Sequence, residues 1–452
     1  MTFNAAPELE FSSELGKSNY RKACREYPGQ AIVDLAAMKS NMEQLVDICG
    51  GVNSSTAVMG VVKADAYGHG LIPAALAALA GGATWLGTAQ PREALLLRKA
   101  GIGVERCHIL TWLYNGKAAL FEDLITEDID ISVGSLSGIE AVAAAARKLG
   151  KAARVHVKVD TGFGRNGFTP EAFDDALSAL GRCHAEGSIE IIGQWSHLAV
   201  ADMPSNPAFV ASTDQQIANF EEFSLRMQKA GLSPQIRHLA NTAATLTRPA
   251  IHYDLTRPGI GLYGYEPDPS MGAPSKYALT PAMTLQAQLA TVKHLTAGHG
   301  ISYGRTYLTE EETSTAVMPL GYADGIHRSA SGSDAEGSLG QVHLGGPIRV
   351  MTNNGPRLLR VSGRVCMDQC VLDLHGDAEQ LGVHEGDTVL LFGRGSGEEQ
   401  CEPTADDWAR AAGTICYEIF TCLRSRIPRL YLHADTSLPK QDIEKLNPES
   451  LL

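Results

Sequence analysis

At 452 residues the chain exceeds one ordinary domain, so two domains are expected. A net charge of −13 excludes a general nucleic-acid binder, which needs a basic face, and is unsuited to an anionic membrane surface. Hydrophobic residues at 44% and charged residues at 20% describe a globular protein with enough chain for a sizeable core.

Residues 1–28 are polar and irregular and read as a loosely held N-terminal extension. No basic-then-apolar leader pattern opens the sequence, and no apolar run reaches the ~18 residues of a membrane span, so a cytoplasmic protein is expected. Nine scattered cysteines, an odd number with no C-x-x-C pair, read as reduced thiols, and no metal site is expected.

From residue 29 short apolar runs alternate with Ala- and Leu-rich amphipathic stretches. The runs end near Lys63, Thr88, Thr111, Val133, Asp160, His197, Asn241 and Leu255. Eight strands, each but the last followed by helix-compatible sequence, predict an α/β fold: a (β/α)8 TIM-type barrel over 29–277. After residue 277 the texture turns to glycine, proline and β-branched residues. Strands are expected around 285–289, 340–344, 357–361 and 387–392, giving a mostly β C-terminal domain over 278–434. Residues 329–340 read as an exposed loop, 404–423 as one helix, and 435–452 as a polar tail.

In such a barrel the chemistry sits where strands run out into βα loops. Lys63 ends the first barrel strand and is followed by Ala64-Asp65-Ala66-Tyr67-Gly68-His69-Gly70. A lysine at the end of a buried strand can have a depressed pKa and form a Schiff base with a carbonyl. Val155-His156-Val157-Lys158-Val159-Asp160 leads into Thr161-Gly162-Phe163-Gly164-Arg165. Gln194-Trp195-Ser196-His197 and His238-Leu239-Ala240-Asn241-Thr242 close two further strands, and Thr256-Arg257-Pro258-Gly259-Ile260 follows the last. Singly, Lys63 reads as a lysine reaching for water, His197 as a packing histidine and Arg257 as an ion-pair partner. Five such elements at successive strand ends point to one site.

These motifs, with Ile301-Ser302-Tyr303-Gly304-Arg305, Gly321-Tyr322-Ala323-Asp324-Gly325 and Val365-Cys366-Met367-Asp368, occur in an order that resembles alanine racemase. The resemblance runs from about residue 30 to 431. It implies a pyridoxal 5′-phosphate enzyme that interconverts L- and D-alanine and supplies D-alanine for peptidoglycan. It also implies a homodimer with shared active sites and no nucleic-acid or membrane partner. By the same resemblance Lys63 carries the cofactor and serves as one acid/base. Tyr303 from the partner subunit is the other. Tyr67, Thr242, Gly259, Ile260 and Tyr417 hold the phosphate. Asn241 and His197 belong to the cofactor's surroundings, with His197 supporting the tyrosine, and Arg257 faces the pyridine nitrogen. Arg165 and Met367 orient the substrate carboxylate, and Lys158 is a candidate for carbamylation. A serine or broader amino-acid racemase of the same fold is the alternative. A decarboxylase is less favoured, because Arg257 stands near the ring and no Gly-Gly-Gly run is present.

Overall fold

The computed structural model describes residues 11, 13–115 and 120–452. The described residues divide into two compact units, one drawn from residues 37–66 and 71–280, the other from those up to 36, 67–70 and 281–452. We number strands in chain order.

The first unit contains β2 (Ala57–Val61), β3 (Trp85–Thr88), β4 (His108–Thr111), β5 (Asp130–Val133), β6 (Ala153–Lys158), β7 (Ile189–Trp195), β8 (Ile236–His238) and β9 (Leu255–Thr256), following β1 (Gly29–Asp34) of the other unit. Neighbouring strands are parallel, in the order β8-β7-β6-β5-β4-β3-β2-β9. A parallel bridge between Asn241 and Arg257 joins the two end strands. This is the eight-stranded barrel that the apolar runs predict. Strands buried on both faces need continuous apolar sequence, and β3 and β5 are buried along their whole length. Helices are stopped and started by local chemistry: Ser135 caps Leu136–Leu149 and left-handed Gly150 ends it. Asn206 caps the long helix Pro207–Lys229, whose Phe223 meets Phe173 edge-on at 4.7 Å.

The second unit centres on a six-stranded sheet. β1 pairs antiparallel with β10 (Met283–Gln288) and parallel with β19 (Arg429–Leu432). β15 (Pro347–Thr352), β16 (Gly355–Arg360) and β18 (Thr388–Phe392) complete it, in the order β16-β15-β18-β10-β1-β19. β11 (Thr291–Leu295), β14 (Thr313–Met318) and β17 (Cys370–Asp373) form a second sheet, and β12 (Gly300–Ile301) and β13 (Tyr307–Leu308) a short ribbon.

Four expectations fail in this unit. Residues 14–26 are not irregular. They form a helix, Glu14–Glu26, capped by Ser13, which buries Tyr20, Ala23 and Cys24 against Ile32, Leu430, Leu432 and Leu452. Residues 435–452 are not a bare polar tail. They contain the helical turns Ala434–Ser437 and Lys440–Ile443, and Leu452 N–H donates to Tyr431 O at 2.9 Å. Residues 340–344 form no strand, because Val342 and Leu344 point to solvent. Residues 404–423 form two helices, Ala405–Ala412 and Cys416–Thr421, because Gly413 turns left-handed at φ 69°. No disulfide joins any of the nine cysteines. Among the described residues no helix is long and apolar enough to cross a membrane.

Candidate active site

Lys63 stands at the C-terminal end of β2, where the backbone does something rare. Ala64, Asp65, Ala66 and Tyr67 have φ of 55°, 52°, 54° and 53°, a left-handed turn made without glycine. Left-handed helix costs roughly 1–2 kcal/mol per L-residue, so the surroundings must impose it. Ala64 N–H donates to Glu93 Oε1 at 2.6 Å, while Glu93 Oε2 accepts from Ala89 and Gln90 N–H at 3.1 Å each. Asp65 Oδ1 accepts from Leu71 N–H at 2.8 Å. Two carboxylates therefore clamp the turn at both ends. Burial, with the Arg165 charge nearby, lowers the Lys63 pKa.

The same strand ends gather cations. Lys158 ends β6, buried, with its ammonium 4.4 Å from the Trp195 ring centre. Burial, with Arg165 and Arg257, pushes its pKa down to about 8. Arg165 lies in the loop after β6, its guanidinium 4.1 Å from the Phe163 ring centre. His197, after β7, packs edge-on against Phe163, and burial with the same cations pushes it well below the ordinary histidine range. Arg257, after β9, is buried and over Trp195 at 5.0 Å; burial pushes its pKa down to about 9, so it remains charged at neutral pH. The Arg257 guanidinium donates to Ser196 O at 2.7 Å, Leu239 O at 3.2 Å and His238 Nδ1 at 3.2 Å, and among the described residues no carboxylate pairs with it. So many cations in a desolvated site repel one another, and an anionic ligand relieves that repulsion.

The contact to His238 opens a relay through the barrel interior. His238 Nε2 lies 2.9 Å from His156 Nδ1, and His156 Nε2 lies 3.0 Å from Asp130 Oδ2. Arginine only donates, so neutral His238 accepts at Nδ1 and carries its proton on Nε2. It therefore donates to His156 Nδ1, which leaves the His156 proton on Nε2, directed at Asp130. Burial alone would raise the Asp130 carboxyl, but His156 and the Arg154 pair at 2.6 and 3.2 Å hold it below the usual carboxylate range. Burial and Arg257 depress His238 strongly, which keeps it neutral. His238 and His156 stand inside the sequence motifs without an expected role there, and Asp130 lies outside all of them. The available signal was a polar residue inside an apolar strand, as in Val155-His156-Val157.

Asn241 and Thr242 begin the helix Thr242–Thr247. Asn241 caps it by accepting from Ala244 N–H at 3.2 Å, and Thr242 Oγ1 accepts from Gly259 N–H at 2.9 Å. Ile260 opens the 3-10 turn Ile260–Tyr263. The Thr242 hydroxyl, the Gly259 backbone and the starts of these two helical turns lie together, and hydroxyls and helix-start amides are groups that suit an anion. A dianionic, aldehyde-bearing cofactor therefore suits this donor set and Lys63.

The second unit holds the other expected residues. Tyr67 and Tyr417 lie together there, ring centres 5.8 Å apart, with Tyr67 buried. Gly68 (φ 77°) permits this turn, because a Cβ there would stand 2.3 Å from Phe420 O. Tyr303 and Met367 line one open hollow with Ser302, Cys366, Asp368 and Gln369, and are 73% and 54% exposed. Ser302 Oγ donates to Arg364 O at 2.6 Å, fixing the turn that presents Tyr303. The Met367 segment is gripped by Tyr322 and Ala323 N–H, which donate to Cys366 O and Met367 O at 3.0 and 2.9 Å. A Cβ on Gly321 would meet both oxygens at 2.4 Å, which accounts for the glycine of that motif.

Residues 33–267 match the alanine racemase N-terminal domain family and residues 282–431 the C-terminal domain family. An alanine racemase of Beutenbergia cavernae is 47% identical over 406 residues, covering 90% of this chain and 98% of that one. One from Mycobacterium leprae is 41% identical over 407 residues, covering 90% and 96%. The crystal structure of alanine racemase from D-cycloserine producing Streptomyces lavendulae superposes with a TM-score of 0.80 at 43% identity, covering 90% of this chain and 97% of that one. The chain belongs to the alanine racemase family.

Proposed function

We propose that the chain interconverts L- and D-alanine with pyridoxal 5′-phosphate, as a cytoplasmic homodimer that supplies D-alanine for peptidoglycan. Within the site, the observation that carries this reading is the group of four cations, Lys63, Lys158, Arg165 and Arg257, at the barrel's strand ends. It provides a covalent anchor, charge for a phosphate and charge for an amino-acid carboxylate in one place.

Lys63 Nζ would anchor the cofactor; Tyr67, Tyr417, Thr242, Gly259 and Ile260 would hold its phosphate, with Asn241 fixing the start of the helix Thr242–Thr247. Bound pyridoxal phosphate acidifies the substrate Cα–H by delocalising the electron pair left behind. Lys63 Nζ then moves a proton at one face of Cα, and Tyr303 Oη of the partner subunit moves one at the other. Two groups on opposite faces invert Cα without either having to travel. His197 orients that tyrosine. Arg165 and the Met367 backbone hold the carboxylate. Arg257 would offer an N–H to the ring nitrogen without giving up its proton, which would favour proton return to Cα over loss of the amino group. The neutral His238 behind it accepts and cannot compete as a donor. Lys158, with a pKa of about 8, has a substantial neutral fraction near pH 7–8. Its nitrogen can attack carbon dioxide and release a proton to solvent. The resulting carbamate replaces a positive charge with a negative one beside Arg165 and Arg257.

Subunit mixing tests the shared site. Lys63→Ala and Tyr303→Phe chains are each expected to be inactive. Mixed under conditions that exchange subunits, they should regain activity, because half of the hybrid's sites carry neither defect. Hybrids that form and stay inactive would refute the assignment.

A further inference from the structure

One chemistry-bearing cluster lies outside this machinery. His327, Glu418 and Cys422 bring one ligand atom each, all within 4.8 Å of one another. Glu418 lies on the helix Cys416–Thr421 and Cys422 caps its end, so the two side chains stand one turn apart on one face. His327 comes from the loop before the 3-10 turn Arg328–Ala330. That loop is pressed against the helix end, since a Cβ on Gly325 would stand 2.3 Å from Cys422 O.

Three observations point to a ligand. His327 Nε2 is buried without a hydrogen-bond partner, an arrangement that costs free energy unless something occupies it. The nitrogen faces a carboxylate, with Glu418 Oε2 3.8 Å away. Glu418 in turn accepts a hydrogen bond from Thr414 Oγ1, the outer support that ligating carboxylates ordinarily have. A zinc ion with bond lengths of about 2.0–2.3 Å and tetrahedral angles sets its ligand atoms about 3.3–3.6 Å apart. The His–Glu pair already approaches that spacing, and about 1 Å of side-chain rotation brings in the thiol.

We propose that His327, Glu418 and Cys422 form a three-ligand site for a zinc-type divalent cation, with a fourth position open to water. One imidazole, one carboxylate and one thiolate suit zinc and cobalt over magnesium or calcium, which prefer all-oxygen shells. Binding deprotonates the Cys422 thiol, and the proton leaves to solvent. The bound ion ties the 325–328 loop to the helix that carries Tyr417. This site shares no residue with the machinery assigned above.

Cobalt(II) titration of the cofactor-loaded protein tests the site. The d–d bands of a tetrahedral cobalt–thiolate centre are expected to saturate at one ion per chain and to be displaced by zinc. Cys422→Ser should abolish the thiolate band, and His327→Asn should weaken cobalt binding at least tenfold. Cys401→Ser, which changes a different thiol, should leave the titration unchanged. A Cys422→Ser chain that misfolds is identified by its far-UV circular dichroism, and Glu418→Gln then takes its place with the same tenfold weakening expected. Octahedral cobalt bands only, or a thiolate band that survives in Cys422→Ser or is unmoved in Glu418→Gln, would overturn the proposal.

Discussion

His156→Leu isolates the relay behind Arg257. The substitution keeps a side chain of comparable bulk but removes the acceptor for His238 Nε2–H, at 2.9 Å, and the donor to Asp130 Oδ2, at 3.0 Å. Each buried group left without a partner costs about 1–3 kcal/mol. Asp130 retains Arg154 at 2.6 and 3.2 Å, so its share lies at the low end, and the expected loss is about 2–4 kcal/mol. Against a total stability of about 5–15 kcal/mol this is large but survivable. His238 also loses the contact that fixes its tautomer. With its proton on Nδ1 it would oppose the Arg257 N–H 3.2 Å away. Urea unfolding of the wild type, His156→Leu, His238→Phe and the double variant closes a thermodynamic cycle; Phe keeps the stacking on Trp195. If the relay acts as one unit, the second substitution costs much less once the first is present, with a coupling of about 0.5–3 kcal/mol. Additivity within about 0.3–0.5 kcal/mol would refute a connected relay.

Tyr303→Phe should lower racemisation by about 10²–10⁴-fold while the absorbance of the lysine-bound cofactor persists, measured by D-alanine formation and by spectrum. Lys158 has a folded pKa of about 8, below the unfolded 10.5, so the folded chain binds fewer protons between those values. Its unfavourable contribution is therefore full below pH 8 and is relieved as pH rises to 10.5. The stability of the wild type relative to Lys158→Met should rise across that window, and a flat difference by urea unfolding would count against the burial. Carbamate formation on Lys158, followed by 13C NMR under labelled carbon dioxide, should likewise increase from pH 6 to pH 8. Gly68→Ala places a Cβ 2.3 Å from Phe420 O at φ 77° and should destabilise by more than the ~1–3 kcal/mol of backbone strain alone. A smaller loss of unfolding free energy would show that the helix Cys416–Thr421 yields.

The strand ends were legible because parallel strands buried on both faces leave continuous apolar runs, and each run stops where the backbone meets solvent. Lys63, Lys158, His197 and Arg257 follow those stops and so declare themselves. The relay was not legible. Asp130, His156 and His238 are distant in sequence and meet only through the register of β5, β6, β7 and β8. The left-handed turn at 64–67 runs against local preference and is imposed by Glu93 and Asp65, so propensity misses it. The helix Glu14–Glu26 was hidden by its charged residues, although Tyr20, Ala23 and Cys24 already have the spacing of one buried face. At 340–344 the misreading was the reverse: alternating apolar residues imitate a strand, yet Leu339, Val342 and Leu344 are exposed.

In the proposed function Lys63 carries pyridoxal phosphate and the loaded protein racemises alanine. An absorbance spectrum of the purified protein, followed by L-alanine with a D-amino-acid-specific readout, tests both parts together. The expected result is a cofactor band that is absent in Lys63→Ala, and D-alanine approaching equality with the L-form. A cofactor band unchanged in Lys63→Ala, or a loaded protein that forms no D-alanine, would contradict it.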